Sequence, residues 1–240
     1  MLNKKNALKL FHKVKSHAHK DAIADFFNKR RKLVFIGLVT IVSFLVVLFL
    51  FDLYCKSAQE KYSEIFHQSL LDEERGDIVK AQENLQKIYE AKFAPSGVKG
   101  LASLRYAAFL LNADKQDEAL KIYLEVANSS RYDNYLRELS GLLAAKILVI
   151  NIDERSDKTL QEKGFRQIEK FESRSKIFHA YFTEQKAIFA LKIGDLAQSY
   201  KISDELAKAS ESPQGLKMRA YDMMKLLQAK GYEVKILDSK

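Results

Sequence analysis

Cysteine, proline and tryptophan are nearly missing from this chain of 240 residues. It has one Cys, two Pro, nine Gly and no Trp. A lone Cys55 excludes a disulfide framework and a cysteine-based zinc site. So little Pro and Gly excludes a collagen-like or linker-rich chain. The hydrophobic content of 47% excludes a wholly disordered one. No Gly-rich phosphate loop, no Gly-x-Ser-x-Gly and no His-Glu-x-x-His occurs, so the common catalytic motifs are missing too. Cys55 and His67 do not make a nucleophile pair. Twelve residues apart on one helix, they stand about 18 Å from each other. Both His67 and His179 read as semi-buried helix residues. The carboxylate pairs Glu73-Glu74 and Asp153-Glu154 fall in polar turns, where no burial tunes them. The expectation is a protein that is not an enzyme, with no cofactor and no metal.

What remains is a helix-forming composition rich in Ala, Leu, Lys, Glu, Gln and Ile. Charge is spread unevenly. The formal net charge is +9, yet residues 1–32 hold ten basic and two acidic side chains, and residues 52–240 hold 30 and 29. The bulk of the chain is electrically balanced, which removes the basis for a nucleic-acid partner.

Between these parts, Leu33 to Phe51 reads LVFIGLVTIVSFLVVLFLF, 19 residues without a charge. As a helix it reaches about the hydrocarbon thickness of a bilayer. Thr40 and Ser43 can place their hydroxyls on carbonyls one turn back. A core helix is rarely apolar on every side, and a cleaved signal needs a shorter apolar run and a small-residue site. Asp52-Leu53-Tyr54-Cys55 offers neither an Ala-x-Ala nor a lipoprotein signal. The segment reads as an uncleaved anchor in the lipid bilayer. Lys29, Arg30, Arg31 and Lys32 abut it on the N-terminal side, which holds that side in the cytoplasm. The expected organisation is a basic cytoplasmic stub (1–32), a transmembrane helix (33–51) and an outer domain (52–240). In a bacterium that domain is periplasmic and the membrane is the inner one.

Within the stub, Leu8, Leu10, Phe11, Val14, Ala22, Ile23, Phe26 and Phe27 recur at near-helical spacing. Either a basic amphipathic helix on anionic lipid or a tail that enforces topology fits this pattern. His12, His17 and His19 lack a fourth ligand and read as polar tail residues.

Residues 52–240 predict an all-α array. Apolar residues recur at three and four, as in Leu101, Leu104, Ala107, Ala108 and Leu111, then Leu139, Leu142, Leu143 and Ile147. Breaks are expected at 74–77, 94–100, 112–116, 128–133, 151–157, 173–175, 194–195 and 211–215, giving about nine helices in antiparallel pairs. Gly76-Asp77 with Ala81, Leu85, Ile88 and Tyr89 has the spacing of a tetratricopeptide (TPR) turn and second helix. Asp114 with Ala119, Tyr123 and Val126 repeats it. Gly194-Asp195 with Ala197, Tyr200, Ile202 and Leu206 is a looser copy. Ala119 marks a close helix crossing, and Gly76 and Gly194 suit the positive φ that ends a helix. Tyr135, Glu138, Gly141, Leu142, Ala144 and Lys146 match Tyr181, Glu184, Ala187, Ile188, Ala190 and Lys192 at a constant offset. Such helices line the concave groove of a right-handed TPR-like superhelix. Tyr135, Glu138, Lys146, Tyr181, Glu184 and Lys192 are therefore groove candidates, or ordinary inter-repeat packing and solvated charge. The connection at 151–163 is lengthened, so that repeat is irregular. Leu216, Ala220, Met223, Met224 and Leu227 form the inward stripe of a final capping helix, with Lys217, Arg219, Lys225 and Lys230 outward.

Three stretches carry a family resemblance: Ala22 to Lys29, Gly100 to Ala107, and Ala187 to Ala220 (AIFALKIGDLAQSYKISDELAKASESPQGLKMRA). With the layout around them, the chain resembles the bacterial ancillary SecYEG translocon subunit family (YfgM-like). It is similar also to related alphaproteobacterial membrane-anchored TPR-like proteins of unknown function. The resemblance implies a single-pass anchor with a superhelical periplasmic domain that contacts SecYEG and periplasmic chaperones. Its longer basic stub and the 151–163 insertion depart from that family. The expected role is a membrane-anchored protein-interaction module. The alternative is a structural envelope scaffold that self-associates and has no translocon role.

Overall fold

Helices account for nearly all of the backbone that the computed structural model describes, residues 31–232, and no strand occurs among them. The stub readings at Leu8 to Phe27 and at His12, His17 and His19, and the charges Lys29 and Arg30, lie outside the described residues. Among the described residues nine helices follow in order: α1 (Arg31–Glu74), α2 (Ile78–Glu90), α3 (Ser96–Asn112), α4 (Gln116–Asn128), α5 (Asn134–Ile150), α6 (Lys158–Arg174), α7 (His179–Lys192), α8 (Leu196–Lys208) and α9 (Gln214–Ala229). By compactness the chain divides after Ser57. The first unit holds α1 up to that point, and the second holds the rest.

In the first unit, one helix is long and apolar enough to span a membrane. Its large apolar side chains from Leu33 to Tyr54 are between 47% and 66% exposed wherever they are described. A core helix of a water-soluble fold would bury most of them, so this stripe-free surface suits hydrocarbon instead. Thr40 donates its hydroxyl to the Ile36 carbonyl at 2.9 Å, which removes the main polar liability of the run.

The second unit is built from short connections. From α2 onward each helix packs on the next, and α3, α5, α7 and α9 also touch in succession. Three of the turns share one construction. Gly76 (φ +80°), Asp114 (φ +58°) and Gly194 (φ +81°) adopt the left-handed conformation just after a helix. The following N–H then reaches back five residues: Asp77 to Asp72, Lys115 to Leu110 and Asp195 to Ala190, at 2.8, 2.8 and 2.9 Å. Glycine takes this conformation without cost in two copies, and Asp114 tolerates it in the third. Asp77, Asp133, Asp157 and Asp195 then cap α2, α5, α6 and α8 through their side chains.

The second helices α2, α4, α6 and α8 begin at Ile78, Gln116, Lys158 and Leu196, intervals of 38, 42 and 38 residues. Three residues into them stand Ala81, Ala119 and Ser199, each fully buried. The small side chain of the last copy is therefore Ser199, while Ala197 is exposed. The Ser199 hydroxyl repays its burial by donating to the Ala187 carbonyl at 2.9 Å. In α6 the same position is Gln161, whose amide closes the long connection on the carbonyls of Asp153 and Ser156, at 3.1 and 3.0 Å.

Two expectations need correction. Gly100 belongs inside α3 and not to a break: a Cβ there would lie 2.8 Å from Leu136 Cδ1 of α5. It is a close-packing glycine, which periodicity cannot distinguish from a turn glycine. His67 and His179 are both exposed and not semi-buried, because each falls on the outer side of its helix.

Candidate functional site

The matched positions 46 residues apart sit on α5 and α7, yet their side chains meet different surroundings. Glu138 is drawn to the connection before α7. Its carboxylate accepts from the Ser175 hydroxyl at 2.6 Å and from the N–H groups of Ile177, Lys176 and Phe178 at 2.9, 3.1 and 3.3 Å. Burial pushes its carboxyl upward, but the Ser175 hydroxyl and these three N–H groups outweigh burial and hold it below the usual carboxylate range. Glu184 instead receives the Arg219 guanidinium of α9 in a two-pronged contact, with Nε at 2.5 Å and Nη2 at 3.1 Å. Both glutamates thus join one first helix to the next.

The tyrosines stay accessible. Tyr135 is 54% exposed and Tyr181 37%. Their rings flank Phe178, with centroids at 5.6 and 6.0 Å. Lys146 and Lys192 are exposed. The structure therefore brings Tyr135 and Tyr181 together through Phe178, and puts Glu184 one turn beyond Tyr181. Sequence spacing gave no signal for Phe178, which precedes α7, or for Arg219, 35 residues downstream of its partner.

Past Glu184 this strip opens into a groove of about 310 Å³ between α7, α8 and α9. Ile188, Leu206, Met223 and Leu226 supply its apolar lining, and Glu184, Arg219 and Asp222 its polar rim. The Ser203 hydroxyl in its wall is buried without a hydrogen-bond partner among the described residues. On α9 the inward stripe has Leu216, Ala220 and Leu227 buried and Met223 and Met224 half-buried, while Met218, Tyr221 and Leu226, outside the stripe, are exposed.

The α5 side of the unit carries a smaller cavity of about 90 Å³. A second groove of about 350 Å³ runs beside α6, with Phe165 and Ile193 below and Lys158, Glu162, Arg166, Glu169 and Asp195 around it. Among the described residues no group of three His, Cys, Asp or Glu side chains is placed to hold a metal ion. Burial raises Tyr89 well above the usual phenol range, aided by its 2.8 Å hydrogen bond to Glu125, so this group stays protonated. Burial alone pushes Tyr123 up to about 12.

Neither a curated protein nor a solved structure matches the chain. A protein family described as "Protein of unknown function (DUF2659)" matches residues 8–228. That span takes in α1, the helical array and most of α9, so the chain belongs to the DUF2659 family.

Proposed function

We propose that this protein is a single-pass, membrane-anchored protein-interaction module whose helical array is a right-handed TPR-like superhelix. The observation that carries the reading is a contrast within one chain. An apolar helix exposed on every described side precedes a packed array that presents an aromatic strip and an apolar groove. Large exposed apolar surface of this kind marks contact with lipid in the first case and with protein in the second. The repeat intervals, the three left-handed turns and the contacts between successive first helices support the superhelix. Residues 29–32 support an N-terminus in the cytoplasm and an array in the periplasm, on a bacterial inner membrane. On the resemblance given above, the partners are SecYEG and periplasmic chaperones.

The test is a mild-detergent pull-down of the full-length protein from its own membranes, read by mass spectrometry. A chain with residues 33–51 replaced by an unrelated apolar helix serves as comparison. Translocon subunits or periplasmic folding factors are expected with the native chain. Recovery of none of them in repeated pull-downs contradicts the reading. The exposed Met218, Tyr221 and Leu226 favour one second reading, a scaffold that self-associates through α9. Light scattering on the purified full-length protein decides it: a monomer at micromolar concentration excludes this scaffold.

A further inference from the structure

The small cavity at the start of α5 joins features that no structural role absorbs. Its floor is the ring pair Phe171 and Phe182, with centroids 5.9 Å apart. Arg137, Arg174 and Lys176 surround it. Arg137 Nε is buried without a hydrogen-bond partner among the described residues. Its guanidinium makes one long contact among the described residues, Nη1 donating to Asn134 Oδ1 at 3.4 Å. A desolvated cationic N–H with nothing to donate to is costly and calls for an anion. No ion pair engages Arg174 or Lys176 among the described residues, and both are exposed.

Glu138 is the acidic residue of the lining, and its charge is already matched. The Ser175 hydroxyl and three backbone N–H groups converge on Oε2, while Oε1 accepts the shared Lys176 N–H at 3.2 Å. Its carboxyl is held in the ionised form, and it makes no ion pair with Arg137 among the described residues. The surroundings keep a surplus of positive charge.

We infer that this cavity binds a carboxylate presented by an acidic peptide segment, with Arg137 donating Nε–H to it and Arg174 and Lys176 closing over it. The inference rests on the partner-binding reading above and names the chemistry of one contact. The floor selects between oxyanions. A carboxylate on a side chain or chain end brings hydrocarbon to set against Phe171 and Phe182. Inorganic phosphate brings only hydrated oxygen atoms to two rings that offer no donor. The volume of about 90 Å³ admits one such group and no folded element.

The test uses the full-length protein in nanodiscs of neutral phospholipid and ligand-observed saturation-transfer NMR. N-acetylglutamate is the probe (the acid) and N-acetylglutamine the uncharged control (the amide), both as their α-carboxamides so that the side chain alone differs, and inorganic phosphate is the competitor, all at matched ionic strength. The expected result is saturable binding of N-acetylglutamate, weakened about tenfold in each of Arg174→Gln and Lys176→Gln. Both side chains are exposed, so these variants keep the fold. Arg137→Lys, which removes the Nε–H and keeps the charge, is expected to weaken binding to a similar degree. Equal signals from acid and amide overturn the inference, as does binding unchanged in the Arg174→Gln and Lys176→Gln variants. Displacement of N-acetylglutamate by equimolar phosphate overturns the selection by the aromatic floor. A small-molecule probe keeps this test separate from the pull-down: partners recovered there with no binding here remove this site and leave the functional reading standing.

Discussion

The α5–α7 and α7–α9 junctions begin from the same residue, a glutamate in the first turns of a first helix, and hold together by different physics. At the first, Glu138 is partly buried and held at Oε2 by one hydroxyl and three N–H groups. Beneath it Gly141 lets Phe171 and Phe182 come in close, a Cβ there meeting them at 3.2 and 3.4 Å. At the second, the position of Gly141 is taken by Ala187, and Glu184 meets a guanidinium that is 55% exposed. One junction is a close-packed joint within the main core, with the small cavity of about 90 Å³ at its edge. The other is an open one, with a separate small cluster of Leu206, Ala207 and Ala220 and a groove beside it. A repeated sequence element fixes where a contact forms, while the partner supplied from the next repeat decides how strong that contact is. The open joint leaves the larger apolar groove, and the close-packed one a small cavity ringed by cationic side chains.

The largest expected difference comes from the cores of the two joints. Phe182→Ala removes a side chain that is 1% exposed and belongs to the main core, and is expected to cost about 3–5 kcal/mol. Leu216→Ala, at the buried start of α9, is expected to cost about 2–3 kcal/mol, the lower end for such sites, because the neighbouring groove lets the chain relax. Urea unfolding of the full-length protein in detergent, followed by circular dichroism, checks the order. A larger loss at Leu216 breaks the comparison.

Glu138→Ala comes next. It leaves three N–H groups and a hydroxyl without their acceptor, at about 2–3 kcal/mol. The same residue gives a pH dependence with a definite sign. Its folded carboxyl titrates below the ordinary value of about 4.3, so its contribution is complete above that value. The contribution is lost as pH falls through the depressed folded value. The stability gap between wild type and Glu138→Gln is therefore expected to be flat from pH 7 to 5 and to close below 4. A gap that widens on acidification contradicts the assignment.

The turns predict a smaller, paired effect. Gly194→Ala forces an alanine into the left-handed conformation beside the Glu154 side chain, costing about 1–2 kcal/mol. Asp114→Gly relieves the same conformation and is expected to stabilise by up to about 1 kcal/mol. Thermal melts of the two variants shift in opposite directions if the turns are equivalent. The smallest effect belongs to the open joint. Glu184→Gln loses an ion pair with an exposed partner and is expected to cost about 0.5 kcal/mol, fading as salt is added.

Local signals made much of the fold legible. Asp, Asn and Gly at the helix ends set the breaks, because caps and left-handed turns depend on residues close in sequence. The uncharged run from Leu33 to Phe51 needed no partner to be read. Reading failed where the partner is distant. Gly100 looks like a turn glycine until Leu136 is set against it. Spacing left Glu138 and Glu184 between groove lining and inter-repeat packing, because their partners, the Ser175 to Phe178 connection and Arg219, are 35 to 40 residues away. Arg137 and Arg174 stand 37 residues apart, and only the packing of α5 against α6 sets them around one cavity. Tyr135 and Tyr181 were legible as a pair, since they share one position on equivalent helices.

The central claim is that the apolar helix holds the array on the outer side of a membrane. Cys55 tests it most directly, being the single cysteine of the chain, exposed, and four residues beyond Phe51. Intact spheroplasts of a bacterium expressing the full-length protein are treated with a membrane-impermeant maleimide, before and after lysis. The account predicts full labelling of Cys55 without lysis. Labelling that appears only after lysis contradicts it.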